Sequence, residues 1–251
     1  MPIAIMSAML EEIEMLLPEL GPDAEKRTRG QRDYYLGELA GQEVVLVFSR
    51  WGKVAAAATV AHLIAEFGIK SLLFSGVAGA LAPGLKVGDL VVGETFVQHD
   101  LDASPLFKRY ETPLLGLSHF PADAEITERL TKAARDFVEK DLATQVGAES
   151  LQRFGLGEPT IHRGLIVSGD RFIASHAAAQ DLRERVEGAL CVEMEGAAVA
   201  QVCFEYGLPF GLLRVLSDGA DDSAPVDFLA FIAEVARHYA HGVMLRTLAD
   251  L

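Results

Sequence analysis

Cysteine is scarce: Cys191 and Cys203 are the only two in 251 residues. Two thiols cannot build the disulfide framework of a small secreted scaffold, and their apolar surroundings place them inside, so a reducing, cytoplasmic compartment fits. Bases are short as well, 22 Lys and Arg against 36 Asp and Glu, for a formal charge of −14. Nucleic acid and anionic membranes both demand a basic face, so neither is an expected partner and a small molecule is. No apolar run is long enough to span a bilayer. The opening MPIAIMSAMLEEIEML carries no basic leader and reaches Glu11 and Glu12 too early for a secretory signal. Internal repeats and low-complexity tracts are also missing. What is present is a 50% apolar chain, enough to bury a large core and read as one domain over 1–251.

Short β-rich runs (IAIM, VVLVFS, SLLFSG, DLVVGE, GLIVSGD, ALCVEM, FGLLRVLSD) alternate with longer stretches of helical spacing (KVAAAATVAHLIAEFG, AEITERLTKAARDFVEK, GAAVAQVCFEYG, DFLAFIAEVARHYAHGVMLRTL). This rhythm predicts an α/β fold whose strands are covered by helices on both faces. The first and third helical stretches end in Gly, a C-cap signal. Residues 101–121 hold three prolines and mixed charge, which reads as a long, lid-like loop, and 147–163 reads as a second irregular connection.

The stretch CVEMEGAA places Glu193 and Glu195 two residues apart at the end of an apolar run. In an extended segment both would share a face opposite Met194, and their repulsion calls for compensation such as a ligand's hydroxyl donors. Other unusual polar residues fall at strand ends, where open α/β sheets gather ligands. These are Glu12 after the first strand, Val77-Ala78-Gly79 in GVAGALAPG, Phe172 and Ile173 after VSGD, and Arg214, Ser217 and Asp218 in RVLSDGADD.

The ordered set AMLEE, GKVAAA, SGVAGALAPGLKVGDLVV, VSGDRFI, VEMEGAAVAQVC and RVLSDGAD resembles the 5′-methylthioadenosine/S-adenosylhomocysteine nucleosidases of the nucleoside phosphorylase and hydrolase superfamily. The resemblance covers nearly the whole chain. It implies an α/β domain around a mixed, partly barrel-like sheet, a homodimer, and no cofactor or metal. It further implies that Glu12 is the general base activating water and Asp218 the acid protonating N7 of adenine. Glu195 would hold the ribose hydroxyls with Met194 packed on the sugar and Glu193 close by. Phe172 would stack on adenine and the Ile173 backbone read its edge, while Ser217 and Arg214 would support Asp218 and the water site. Phe228 would help close the 5′ pocket. Trp51 stands where an aliphatic residue is common, and Arg171 where many relatives have a smaller one, which bears on substrate preference.

Phosphorylases of this superfamily need arginines near the first turn and before the glycine-rich segment. Here Ala8–Glu12 and Leu73–Ser75 contain none, so water is the expected nucleophile. The alternatives are hydrolysis of another purine-like nucleoside such as futalosine, or phosphorolysis. A dinucleotide-binding oxidoreductase is disfavoured because GVAGALAPG lacks the G-x-G-x-x-G spacing. A non-catalytic nucleoside binder is disfavoured because no catalytic acid is missing.

Overall fold

The apolar runs become strands because each of their faces finds a partner. This computed structural model describes residues 1–220 and 224–251, the last group without side chains for 224–227; Asp221 of the SDGAD motif lies outside the described residues. In chain order the strands are β1 (Ile3–Ser7), β2 (Glu25–Arg29), β3 (Arg32–Leu39), β4 (Gln42–Phe48), β5 (Ser71–Ala80), β6 (Leu90–Gln98), β7 (Phe120–Pro121), β8 (Ile161–Ser168), β9 (Ala189–Glu193) and β10 (Phe210–Asp218). The helices are α1 (Lys53–Phe67), α2 (Ala124–Lys140), α3 (Leu142–Val146), α4 (Ala148–Arg153), α5 (His176–Arg185), α6 (Gly196–Tyr206), α7 (Ala224–Phe231) and α8 (Arg237–Ala249). One π-helical turn, Ile232–Ala236, joins the last two.

β10, β6, β8, β9 and β5 pair in succession, and β5 pairs back to β10, closing a five-stranded barrel. From β5 the sheet continues openly through β1, β4, β3 and β2, with β7 added to β6. The pairing is mixed: β1 lies parallel to β4 and β5, while β9 runs antiparallel to β5 and β6 antiparallel to β10. This is the mixed, partly barrel-like α/β architecture that the sequence implied.

Alternation sorts the core. Ile3, Ile5, Val44 and Leu46 face a cluster with Leu130 and Phe137 of α2 and Tyr239 and Val243 of α8. Their neighbours Ala4, Met6, Val45 and Val47 face the opposite way, against Val60 and Leu63 of α1 and Val199 and Cys203 of α6. Successive side chains of a strand point to opposite faces, so a strand covered on both reads as an unbroken apolar run. α1 and α6 end on Gly68 and Gly207, both left-handed, as their C-cap signals suggested.

Three stretches depart from expectation. The connection over 147–163 is not irregular throughout, since it holds α4 and the start of β8. The hairpin β2–β3 and the helix α5 follow no run singled out above. β2 is EKRTR, exposed at every residue, so it carries no apolar pattern to signal a strand. The segment 101–121 is a loop apart from β7 and one bridge between Thr112 and Leu117. No helix among the described residues is long and apolar enough to cross a membrane.

Candidate functional site

The ends of β1, β8, β9 and β10, with the second half of β5, surround a cavity that opens to solvent. Every candidate residue from the sequence lines it: Glu12, Trp51, Val77, Ala78, Gly79, Phe172, Ile173, Glu193, Met194, Glu195, Arg214, Ser217, Asp218 and Phe228. Ala8, Met9, Gly76, Arg171 and Val192 complete the lining. Met9 escaped the sequence reading because an apolar residue in a turn carries no chemical signal. No residue of the 101–121 loop contributes.

The turn after β1 bends Glu12 back so that its Oε2 accepts the backbone N–H groups of Ala8 at 3.0 Å and Met9 at 2.9 Å. The side chain is 2% exposed. Burial pushes its pKa from 4.5 up to about 7, against the opposing pull of Arg214 and the two N–H donors. Arg214, from the middle of β10, is wholly buried and packs its guanidinium 4.1 Å over the Phe74 ring. Burial works against its charge, but Glu193, Glu195 and Glu12 outweigh it and hold it cationic. Gly76 makes room for this meeting, because a Cβ there would stand 2.8 Å from Arg214 Nη1 and 3.0 Å from Glu12 Oε1.

Glu193 and Glu195 both line the cavity, but strand alternation is not what brings them there, and Met194 lines it too instead of facing away. β9 ends at Glu193, and Glu195 sits outside strand geometry at φ −132° and ψ −40°, so strand alternation does not extend to it. Glu193 turns inward: it accepts Arg214 Nη2 at 2.6 Å, the N–H of Glu195 at 3.1 Å, the N–H of Gly196 and the Ser168 hydroxyl. Its charge is thus compensated within the protein and not by a ligand, and its acceptor capacity is largely spent. Glu195 keeps more: Oε1 accepts the Gly52 N–H at 2.8 Å and Oε2 lies 3.8 Å from Arg214 Nη2. Desolvation first, and then the neighbouring Glu193, raises its pKa well above the usual carboxylate range.

Asp218 ends β10 and is 9% exposed. Its Oδ2 accepts the Ser217 hydroxyl at 2.7 Å and its Oδ1 accepts the Ala220 N–H at 2.7 Å. Over the mouth stand three aromatics: Phe228 meets Trp51 edge-on at 6.0 Å and Phe172 at 5.8 Å between ring centroids. Phe172 is 41% exposed and Trp51 48%, so Phe172 is not a core residue. Carboxylates outnumber cations in the lining, with Glu12, Glu193, Glu195 and Asp218 against Arg171 and Arg214. Such a cavity suits a neutral or cationic ligand with hydroxyl donors and a planar ring.

The phosphorylase superfamily model matches residues 2–249. The chain belongs to that superfamily. Within it, a 5′-methylthioadenosine/S-adenosylhomocysteine nucleosidase of Chromohalobacter salexigens is 35% identical over 239 residues, covering 95% of this chain and 93% of its own. An aminodeoxyfutalosine nucleosidase of Helicobacter pylori is also 35% identical, over 248 residues that cover 99% of this chain and 97% of its own. The crystal structure of a 5′-methylthioadenosine/S-adenosylhomocysteine nucleosidase from Neisseria meningitidis in complex with methylthio-immucillin-A superposes with a TM-score of 0.86 at 33% identity. It covers 100% of this chain and 99% of the other. These superfamily relatives are nucleosidases, enzymes that cleave N-glycosidic bonds with water.

Proposed function

We propose that this chain hydrolyses the N-glycosidic bond of 5′-methylthioadenosine, S-adenosylhomocysteine or both, releasing adenine and the 5-thioribose product. The observation that carries the reading is the joining of Glu12, Glu195 and Asp218 in one cavity with an aromatic mouth. A candidate base, a candidate acid and a further carboxylate lining one cavity match the needs of glycoside hydrolysis. A water molecule attacks C1′ while Glu12 takes its proton, and a carboxyl raised to about 7 is poised for that role near neutrality. The C1′–N9 bonding electrons leave with the base, and Asp218 supplies a proton to N7 so that adenine departs neutral. The Ala220 N–H fixes Oδ1 as an acceptor, and the Ser217 hydroxyl can switch from acceptor to donor as the proton leaves Oδ2. Glu195 would accept the ribose hydroxyls in the ground state and the transition state alike, so that it serves mainly to bind and orient the sugar. Met194 packs on the sugar, and Phe172 and the Ile173 backbone receive the purine.

Water is favoured over phosphate as nucleophile because Arg214, the buried cation, is already engaged by Glu193 at 2.6 Å. A phosphate dianion would enter a cavity with a surplus of carboxylates. The decisive experiment incubates the protein with 5′-substituted adenosines, with and without phosphate, and identifies products by mass. Free 5-methylthioribose formed without phosphate is expected; the 1-phosphate sugar would overturn the reading. The Helicobacter pylori relative supports a second substrate, aminodeoxyfutalosine, and the same panel includes it. We also propose that the working form is a homodimer. Leu106 at 84% and Leu114 at 94% exposure leave apolar side chains on the 101–121 loop for a second copy to cover.

A further inference from the structure

Two aromatic walls of the cavity come from separate turns, Trp51 from the one after β4 and Phe172 from the one after β8. Polar residues outside the cavity lining tie these turns together. Asp170 Oδ1 accepts the backbone N–H of Lys53 at 2.8 Å. Asp100, two residues beyond β6, spans both turns: Oδ1 accepts Lys53 Nζ at 2.6 Å and Oδ2 accepts the Asp170 N–H at 2.9 Å. Lys53 is therefore gripped at its backbone by one acid and at its ammonium by the other. The ends of β4, β6 and β8 are joined in one ring of hydrogen bonds.

An exposed ion pair is worth little, but this one is partly buried, with side-chain exposures of 17% for Lys53 and 30% for Asp100. Burial alone would raise the Asp100 carboxyl, and the Lys53 ammonium with the Asp170 N–H more than reverses this, holding it below the usual range. The glycines beside the ring permit its closeness. Gly52 has φ +95°, and a Cβ there would lie 3.0 Å from Asp170 Oδ1. A Cβ on Gly169 would strike His99 Nε2 at 2.4 Å and stand 3.0 Å from Asp100 Cγ.

The ring fixes the Gly52–Lys53 peptide by its N–H, and the N–H of the adjoining Trp51–Gly52 peptide donates to Glu195 at 2.8 Å. We propose that Asp100, Lys53 and Asp170 form a clasp that positions the Trp51–Gly52 strap and, through the Gly52 N–H, orients Glu195 without touching substrate. The clasp is a set of positioning residues and rests on the reading of Glu195 as the ribose ligand. Opening it leaves the catalytic acids in place but lets the strap and its donor drift from Glu195. The loss therefore falls mainly on binding.

Trp51 is the only tryptophan in the chain, so its emission reports the strap directly. The test measures KM, kcat and acrylamide quenching of Trp51 fluorescence in the parent, Asp100→Ala, Lys53→Met and Lys53→Arg. In Asp100→Ala and Lys53→Met, KM for methylthioadenosine is expected to rise about tenfold, the scale of one or two lost partly buried hydrogen bonds. In the same variants kcat falls less than about threefold, and Trp51 becomes more accessible to quencher. Lys53→Arg, which keeps the cation, stays near the parent in all three readouts. Unchanged KM and quenching in both disrupting variants overturns the clasp, and so does a loss confined to kcat. If Asp100→Ala does not fold, Lys53→Met decides, since it deletes one contact of a partly buried side chain. If the parent releases no adenine, the proposed function fails, yet Trp51 quenching still settles whether the strap depends on the clasp.

Discussion

Glu12 joins a chemical role to a cost in stability. Below about pH 4.5 its carboxyl is protonated both folded and unfolded; between there and about 7 the folded protein keeps a proton that the unfolded chain releases. The folded state's advantage at Glu12 is thus complete below the unfolded pKa and is lost as pH rises through the folded one, by up to about 3 kcal/mol. Calorimetry of the ligand-free protein should show the parent losing Tm relative to Glu12→Gln between about pH 5 and pH 8. Glu195 is shifted in the same direction and will remain in both proteins, so only the difference between them belongs to Glu12. Activity should run the other way on its acid limb, with kcat/KM rising with an apparent pKa near 7 as the base ionises. For Asp218 the expected signature is leaving-group dependence. Asp218→Asn should slow methylthioadenosine hydrolysis by about 10²–10⁴-fold, the usual worth of a general acid, with substrate affinity much less affected. A nitrophenyl riboside, whose leaving group needs no proton, should recover much of that loss in steady-state assays.

The element that organises these acids is α6. Its first N–H groups do not cap on their own side chain but on two residues brought from elsewhere: Gly196 N–H donates to Glu193 at 2.9 Å and Ala197 N–H to Ser168 Oγ at 2.7 Å. A helix N-terminus favours an anion, so Glu193 is held there with Arg214 behind it. Ser168→Ala would leave the buried Ala197 N–H without its acceptor and Glu193 short of a donor. Urea unfolding should register a loss of about 1–3 kcal/mol. At this scale the sequence is legible where periodicity and burial agree. Every strand of the barrel and α1, α2, α6 and α8 announced themselves through apolar runs or helical spacing. β2 and α5 did not, being polar segments whose regular structure is set by a neighbouring strand or by packing against a larger core. Glu12, Phe172, Arg214, Ser217 and Asp218 were legible as types at strand ends, whereas Trp51, Arg171 and Phe228 entered only through the family resemblance. The Asp100–Lys53–Asp170 ring was not, because three ordinary surface-like residues from distant positions become special only when the sheet folds them together. Glu193 was misjudged for the same reason, its partner Arg214 lying 21 residues away in sequence.

Across the whole molecule, the exposed Leu106 and Leu114, with Val54 at 81%, are large apolar side chains left to solvent. Light scattering should give twice the 27.0 kDa chain mass, and Leu114→Glu should shift the population toward monomer with weaker substrate binding. A fully active monomer would remove the dimer from the proposal. The course of β5 has a consequence of its own. Along one edge it runs beside β1 from Ser71 to Phe74 and beside β9 at Gly79 and Ala80, and between those points neither strand is in register with it. The sheet forks there, one branch curling into the barrel and the other running on, and Gly76 to Gly79 in the fork line the cavity. The cavity is thus a product of diverging backbone before it is a product of side chains. Repainting its walls can change which molecule it prefers, but larger side chains alone do not abolish a gap that the branching of the chain creates. Buried peptide groups seek partners, and a flat heterocycle with polar edges has the shape to serve as the missing rung.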